Sequence, residues 1–455
     1  MVQLTRDLFT PLQHRAETQA ISRPSLSYWQ DAWLRLKSNK RALVSLYLVG
    51  GLLVFTLIGP LVWQVDPANQ DLDQVSQAPG TDRRAIIVED YLPWDGISTL
   101  PDTNGLHLAA PATSQSVRLK WDSLPGANGH RVYRNIFPVG ADMAFGVPLA
   151  EFYNNETLHY EDLLDIRPGT YYYSVVAMER PGIVSDIYQT IEVNVQRVTT
   201  VAEAVSRGLV PADNDLQIGD EIILSWHPLG TDYLGRDMLA RLMAGARVSL
   251  FIGIGAPFLF VLFGVFYGST AGFLGGKVDQ VMMRFADFVV ALPFLLFMIL
   301  FKIAFGIGPG ESGVFPMLVA LVLLSWPSTA RLVRGQILQI REQGYIAASR
   351  LLGAKTNYLV LRHMIPNTLG VVLVTLTFAI PSAIFTEAFL SFIGMGVAPP
   401  TPSWGSMSNE GIKNMLTHPH ELIFPALFIS VTVLAFNLLG DGLRDALDAR
   451  MRSTE

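Results

Sequence analysis

Cysteine is absent from this chain of 455 residues, which excludes a disulfide framework and any thiolate metal site. Charge is scarce as well. Only 16% of the residues are Asp, Glu, Lys or Arg, against 50% hydrophobic, whereas soluble domains carry about 25% charged residues. Five stretches, 42–65, 248–276, 312–330, 364–386 and 422–440, hold no charged side chain at all. A sixth, about 281–305, has Arg284 and Asp287 at one end and Lys302 at the other. A bilayer's hydrocarbon takes about 20 apolar residues to cross. The period-two alternation of a membrane barrel is also missing. In lipid a lone segment must satisfy its own backbone, so each stretch reads as a helix. The expected fold class is an α-helical polytopic membrane protein with six transmembrane helices.

Energy-supplying chemistry is missing too. A phosphate-binding loop needs Gly-x4-Gly-Lys-Ser/Thr. The nearest match, Ser349-x4-Ala354-Lys355-Thr356, lacks both glycines, and Gly276-Lys277 continues with Val278. A proton-coupled carrier keeps ionisable residues inside its spans, and here they are nearly absent. The subunit is therefore expected to take its energy from elsewhere, with no catalytic residue, metal or cofactor of its own and no nucleic-acid partner. His418-Pro419-His420 reads as a solvated outer loop. Glu387, at the outer end of span five, reads as interfacial or as part of a pathway lining.

What charge remains is unevenly spread. Residues 64–230 hold 10 basic and 23 acidic side chains, a net of −13, and the rest of the chain carries +7. Basic residues mark the cytoplasmic ends of spans. Lys37, Lys40 and Arg41 precede span one, Arg444, Arg450 and Arg452 follow span six, and 331–362 holds Arg331, Arg334, Arg341, Arg350, Lys355 and Arg362 against Glu342 alone. Both termini and the span four–five loop are thereby expected inside, with 64–230 outside. About forty polar residues precede span one, so it is read as a retained anchor rather than a signal peptide. Residues 25–40, with Trp29, Trp33 and Leu36 beside basic residues, read as an interfacial helix.

The outer insert alternates with period two in Val117–Trp121, His130–Arg134, Tyr171–Ala177 and Ile191–Val195, with turns at Pro125-Gly126 and Pro168-Gly169. Such spacing predicts a β-sandwich, with Leu119, Trp121, Val132, Tyr172 and Val175 in its core. Residues 66–111 and 198–229 read as linkers or elaborations. Next, Gly230–Leu250 reads as an amphipathic helix entering span two, its arginines 236, 241 and 247 running against the positive-inside trend. Span two carries Gly264, Gly268 and Gly272, and small residues four apart let helices approach closely. Pro257, Pro293, Pro327 and Pro381 mark expected kinks.

The basic segment contains Tyr345-Ile346-Ala347-Ala348-Ser349-x3-Gly353 and ends at Ile365-Pro366-Asn367. Its small residues would admit another protein surface close to the backbone. These motifs resemble the C-type permease subunit of oligopeptide/dipeptide ABC importers. That family's coupling loop reads Glu-Ala-Ala-x3-Gly followed by a hydrophobic-Pro pair. Here Ala348, Gly353 and Ile365-Pro366-Asn367 match, while Ala347 replaces the glutamate and Ser349 the second alanine. The runs Gly230–Leu250, Glu387–Gly396, Pro402–Gly405 and Gly440–Asp448 are similar to the family as well.

The resemblance implies a type I ABC importer permease fold; the insert departs from that family's usual pattern, and over 112–197 its Leu119-x-Trp121, Pro125-Gly126, Tyr133 and Pro168-Gly169-x2-Tyr172 resemble a fibronectin type III domain. With the runs and charges above, the chain divides into a cytoplasmic segment (1–41), transmembrane helix 1 (42–65), an extracytoplasmic insert (66–229), a permease core (230–450) with coupling loop 338–366, and a tail (451–455). The resemblance implies coupling residues Tyr345, Ala347, Ala348, Ser349, Leu351, Leu352, Gly353 and Ala354 on a helix at 342–357, and Pro366 at the end of the loop. Implied partners are a second permease in a heterodimer, two ATP-binding cassette subunits, an extracytoplasmic substrate-binding protein and the lipid bilayer of a bacterial inner membrane. No substrate-binding residue is assigned by the sequence.

Overall fold

The computed structural model describes residues 28–139, 145–164, 166–180, 182–211, 216–305 and 312–447. The tail at 451–455, Arg450 and the N-terminal residues 1–27 lie outside the described residues. The chain divides into two compact units, one of residues 1–71 and 231–455, the other of residues 72–230.

Helix α1 (Tyr28–Ser38) leads to α2 (Lys40–Leu57) and the short α3 (Gly59–Val62). Asn39 separates the first two because its side-chain oxygen accepts from the N–H groups of Arg41 and Ala42, a regular N-cap. Ala32 and Leu36, four apart, form the buried stripe of α1, and Leu36 packs on Ala42 and Ala446. Trp33 does not share that face and is 55% exposed. On α2, Val44, Tyr47, Val54 and Leu57 also stay exposed. That is unremarkable for a helix whose solvent is lipid, where apolar exposure costs nothing.

Residues 72–230 form the insert. Strand β1 (Arg84–Val88) is followed by β2 (His107–Leu108), β3 (Val117–Lys120), β4 (Gly129–Asn135), β5 (Ala150–Phe152), β6 (His159–Asp162), β7 (Gly169–Arg180), β8 (Ile183–Val195) and β9 (Val198–Thr200). Helix α4 (Val201–Ser206) and β10 (Glu221–Ile223) complete it. One sheet has the order β2-β3-β6 and another β5-β4-β7-β8. Their inner faces share a core that includes Leu119, Trp121, Val132, Tyr173 and Val175. The expected Tyr172 is not in it. Tyr173 is, because alternation puts Tyr173, Val175 and Ala177 on one face and Tyr172 on the other. Arg134 donates to Asp162 at 2.8 Å, and the Tyr173 hydroxyl donates to the same carboxylate at 2.7 Å. Burial and this hydrogen bond push the phenol's pKa up. The flanking segments read as linkers or elaborations form a sheet of their own, β10-β1-β9, over Ala85, Ile87, Ala204, Ile222 and Leu224. Trp121 is 3% exposed, and replacing it with alanine is expected to cost the sandwich about 3–5 kcal/mol. Protease resistance of the 112–197 region in the purified protein measures this, and an unchanged digestion profile contradicts it.

The second half of the membrane unit begins with α5 (Met238–Leu274), α6 (Gly276–Ala291), α7 (Phe294–Ala304) and α8 (Val314–Arg341). It continues with α9 (Gly344–Leu351), α10 (Thr356–Tyr358), α11 (Ile365–Phe392), α12 (Trp404–Gly411) and α13 (His420–Leu447). Among the described residues five helical spans are long and apolar enough to cross a membrane. The sixth expected span is not one straight helix: α6 and α7 meet at 84°. Pro293, next to the break, has no N–H for the ladder and disfavours helical geometry at Leu292. Residues 359–364 run as a π turn between α10 and α11. Pro366 crowds the carbonyl four residues back, and the ladder widens just upstream.

The entry to span two is not amphipathic. Met238, Ala240, Arg241, Leu242, Met243, Gly245 and Ala246 are all buried, so burial reaches well beyond one apolar stripe, with only Arg247 exposed between 238 and 250. Nor does the basic 331–362 segment begin as a loop, since α8 runs to Arg341. Arg334 pairs with Asp279 at 2.5 Å and Arg331 with Asp287 at 2.7 Å. Arg341 donates to the carbonyls of Gly272 and Phe273, capping the carbonyl end of α5.

Helix α5 packs on α8 through its glycines. A Cβ on Gly264 would lie 2.7 Å from Thr329 Cβ, and one on Gly272 3.0 Å from the Arg334 carbonyl. One on Gly268 would run into the Ala330 carbonyl. Gly268→Ala is therefore expected to force the helices apart at about 1–3 kcal/mol. A lower midpoint of heat-induced aggregation in detergent checks this, and wild-type thermal behaviour contradicts it.

Candidate functional site

Three features of the membrane unit could serve function. The first is the segment after α8. Gln343 opens α9 in an extended conformation. Ile346 is fully buried, in one cluster with Ile337, Leu359 and Met364, and this pins the helix. Every other apolar anchor on it faces out. Tyr345 is 45% exposed and Leu351 and Leu352 are each 89% exposed. Ala347 and Ala348 are exposed, Ala354 is half-buried, and Pro366 is exposed in the first turn of α11.

Helix α9 has eight residues, shorter than the expected 342–357, because a C-terminal turn stops it. The Leu352 N–H bonds to the Ala348 carbonyl, the Gly353 N–H to Arg350 and the Ala354 N–H to Ser349. Gly353 has φ +84°, the left-handed position that ends helices and favours glycine. Its role in the fold is thus a cap, with open space around it. The Ser349 hydroxyl donates to the Tyr345 carbonyl, and the Tyr345 hydroxyl accepts from Asn367 at 3.2 Å. The Arg350 guanidinium lies 5.3 Å from the centre of the Phe273 ring.

The second feature is a cleft of about 550 Å³ between α5, α6, α7, α8 and α11. Phe260, Phe294 and Phe378 line it with six hydroxyl residues, Ser325, Ser328, Thr329, Thr375, Ser382 and Thr386. Among the described residues its walls carry no charge. Sequence reasoning assigned none of them. A signal existed, since Thr375, Ser382 and Thr386 are spaced by 7 and 4, which is one face of a helix.

The third is a polar knot. Asp232 accepts from Arg236 at 2.7 Å and also from Arg241, while Glu410 accepts from Arg236 at 3.0 Å and Arg241 at 2.8 Å. Arg247 donates to the Thr56 carbonyl at 3.2 Å, near the end of α2. The three arginines that opposed the positive-inside trend are thus held by internal acceptors. His420 is buried rather than solvated, with Nε2 3.0 Å from the Thr231 carbonyl. Glu387 neither lines the cleft nor faces an interface. It is fully buried and accepts from the hydroxyls of Ser249 and Ser391, each at 2.8 Å. Ser249 Oγ also accepts from the Trp404 N–H, whose indole donates to the Leu242 carbonyl.

Residues 264–453 match the family described as the inner membrane component of binding-protein-dependent transport systems. Residues 27–79 match the N-terminal transmembrane domain of oligopeptide transport permease C. The oligopeptide transport system permease OppC of Bacillus subtilis is 48% identical over 226 residues, covering 50% of this chain and 72% of that protein. The chain belongs to this permease family. The dipeptide transport system permease DppC of Lactococcus lactis is 30% identical over 433 residues, 95% of this chain and 94% of its own. An alignment of that length cannot omit residues 72–230, so the insert has a counterpart in a relative of the permease. Among solved structures, the inward-facing MetNI methionine ABC transporter aligns over 46% of the permease and 98% of its own chain, at 17% identity and a TM-score of 0.38.

Proposed function

We propose that this permease forms half of the translocation pathway of an ATP-driven peptide importer, moved through α9 by separate ATPase subunits. The observation that carries the reading is α9 itself. Ile346 fixes it to the α8–α11 cluster, yet Leu351 and Leu352 project into the open. An exposed apolar pair on a helix with one buried side chain suits a lever whose far side is completed by another protein. Peptides are favoured as cargo because relatives carry the names of oligopeptide, dipeptide and glutathione permeases. ATP hydrolysis falls to two ATP-binding cassette partners, and a second permease completes the pathway as a heterodimer. An extracytoplasmic binding protein delivers the substrate.

In this reading both termini and α9 are cytoplasmic in a bacterial inner membrane, and 64–230 is extracytoplasmic. The 112–197 region is a fibronectin type III-like domain, a reading supported by its β3-β6 pair and its β5-β4-β7-β8 sheet, with β2 joining from just before it. Tethered at both ends, it meets the binding protein or the partner permease at high effective concentration. Because the chain has no cysteine, single introduced cysteines report cleanly. An impermeant reagent on intact cells is expected to label Ser123→Cys and not Ser349→Cys. The reverse pattern would overturn the orientation. Reconstituted with its partners, the permease should take up a dialanine probe only with ATP and the binding protein present. ATP-independent uptake would indicate a self-sufficient carrier.

A further inference from the structure

We propose that the back-bonded hydroxyls of the cleft, Ser328, Thr375 and Thr386, read the main-chain amide N–H groups of the substrate, and not its side chains. The inference deepens the peptide reading above and rests on it.

The observation is where the hydroxyl protons go. Ser328 Oγ donates to the Ser325 carbonyl at 3.0 Å, Thr375 Oγ1 to the Val371 carbonyl at 2.8 Å, and Thr386 Oγ1 to the Ser382 carbonyl at 2.8 Å. Each hydroxyl has one proton and two lone pairs. With the proton held by its own helix, what it can offer to the cleft is an acceptor. The back-bond is the favoured state within a membrane helix, where an unpaired donor is expensive. At these three of its six hydroxyls the cleft therefore matches N–H donors. A peptide has one main-chain N–H per non-proline residue, whatever its side chains.

The rest of the lining agrees with that chemistry. Among the described residues no carboxylate or ammonium is present to select for charge, so acidic and basic side chains meet no fixed partner. The rings of Phe260, Phe294 and Phe378 give apolar contact of low specificity. They also offer π faces, which attract ammonium groups. At the back-bonded positions such a surface discriminates weakly among peptides and favours them over molecules without an amide N–H.

The test is a chemical double-mutant cycle in the complete transporter, reconstituted with ATPases, partner permease and saturating binding protein. The probes are dialanine and its ester analogue, in which oxygen replaces the amide N–H. Thr375→Val and Thr386→Val keep shape and remove the acceptor. The expected result is a three- to tenfold fall in dialanine turnover for each valine variant, with little change for the ester. Thr375→Ser should restore dialanine turnover, and ATP hydrolysis provoked by the binding protein should persist. Equal losses for both probes, or none for either, would overturn the proposal while leaving the permease an importer. Wild-type complex that hydrolyses ATP with its binding protein yet moves neither probe would remove the peptide reading, and this inference with it.

Discussion

Replacing Arg241 with alanine is expected to remove most folded permease from the membrane. Arg241 is 2% exposed and shares two carboxylates, Asp232 and Glu410, with Arg236. Two cations and two anions balance, and each acid is bridged by both arginines. Removing one cation leaves a buried carboxylate charge uncompensated, which costs about 3–5 kcal/mol. That is a large part of the ~5–15 kcal/mol that holds a domain together. Asp232 and Glu410 belong to the approach to α5 and to α12, so the loss should first loosen those two segments. Lysine at 241 should rescue only in part, because a point charge cannot fork between two carboxylates as a guanidinium does. Size-exclusion chromatography of detergent-extracted protein checks the sequence wild type, Arg241→Lys, Arg241→Ala. An alanine variant as abundant and monodisperse as wild type would show that the knot is dispensable.

The second large effect is expected at α9. Leu351 and Leu352 contribute nothing visible to the fold at 89% exposure, so changing both to aspartate should leave the permease folded. If both are buried on an ATPase, each contributes about 1.5–3 kcal/mol to docking, and every 1.4 kcal/mol is tenfold in affinity. The double variant should therefore lose the ATPase by a factor on the order of 10² or more. Co-purification of the ATPase should fail, and uptake with it, while abundance and heat resistance stay at wild-type values. Ile346→Asp is the informative contrast. It places a charge inside the cluster with Ile337, Leu359 and Met364, so it should damage folding as well as docking.

The spans were legible because lipid tolerates so few charges that 312–330 and 364–386 stand out by composition alone. The strands of the insert were legible because alternation is a one-dimensional record of two faces. Even there the choice between Tyr172 and Tyr173 was lost, since three tyrosines in a row blur the alternation and only pairing with β4 and β8 fixes which one points in. The 84° break at Pro293 was marked by a proline, but the same residue type is accommodated inside helices at Pro257, Pro327 and Pro381.

The polar knot and the cleft were harder. Arg241 and Glu410 are 169 positions apart, and nothing local to either announces the other. Glu387 looked exposed from its place near a span end, and its burial depends on Ser249 from a different helix. The glycine at 353 fitted a close-approach reading, whereas its positive φ and the hydrogen bonds around it define a helix cap. The cleft's hydroxyls are common residues in any membrane helix, and their meaning lies in α8 and α11 facing one space.

The central claim is that α9 of this chain is the contact through which an ATPase moves the permease. With no native cysteine, Leu351→Cys paired with single cysteines across the docking face of the ATPase measures it directly. The account predicts a disulfide between the two subunits in the assembled complex, with a yield that changes between nucleotide-free and ATP-bound states. It also predicts no such bond from a cysteine at Ile346, which is buried. No crosslink from any position between 345 and 356, in a complex that still transports, would contradict it.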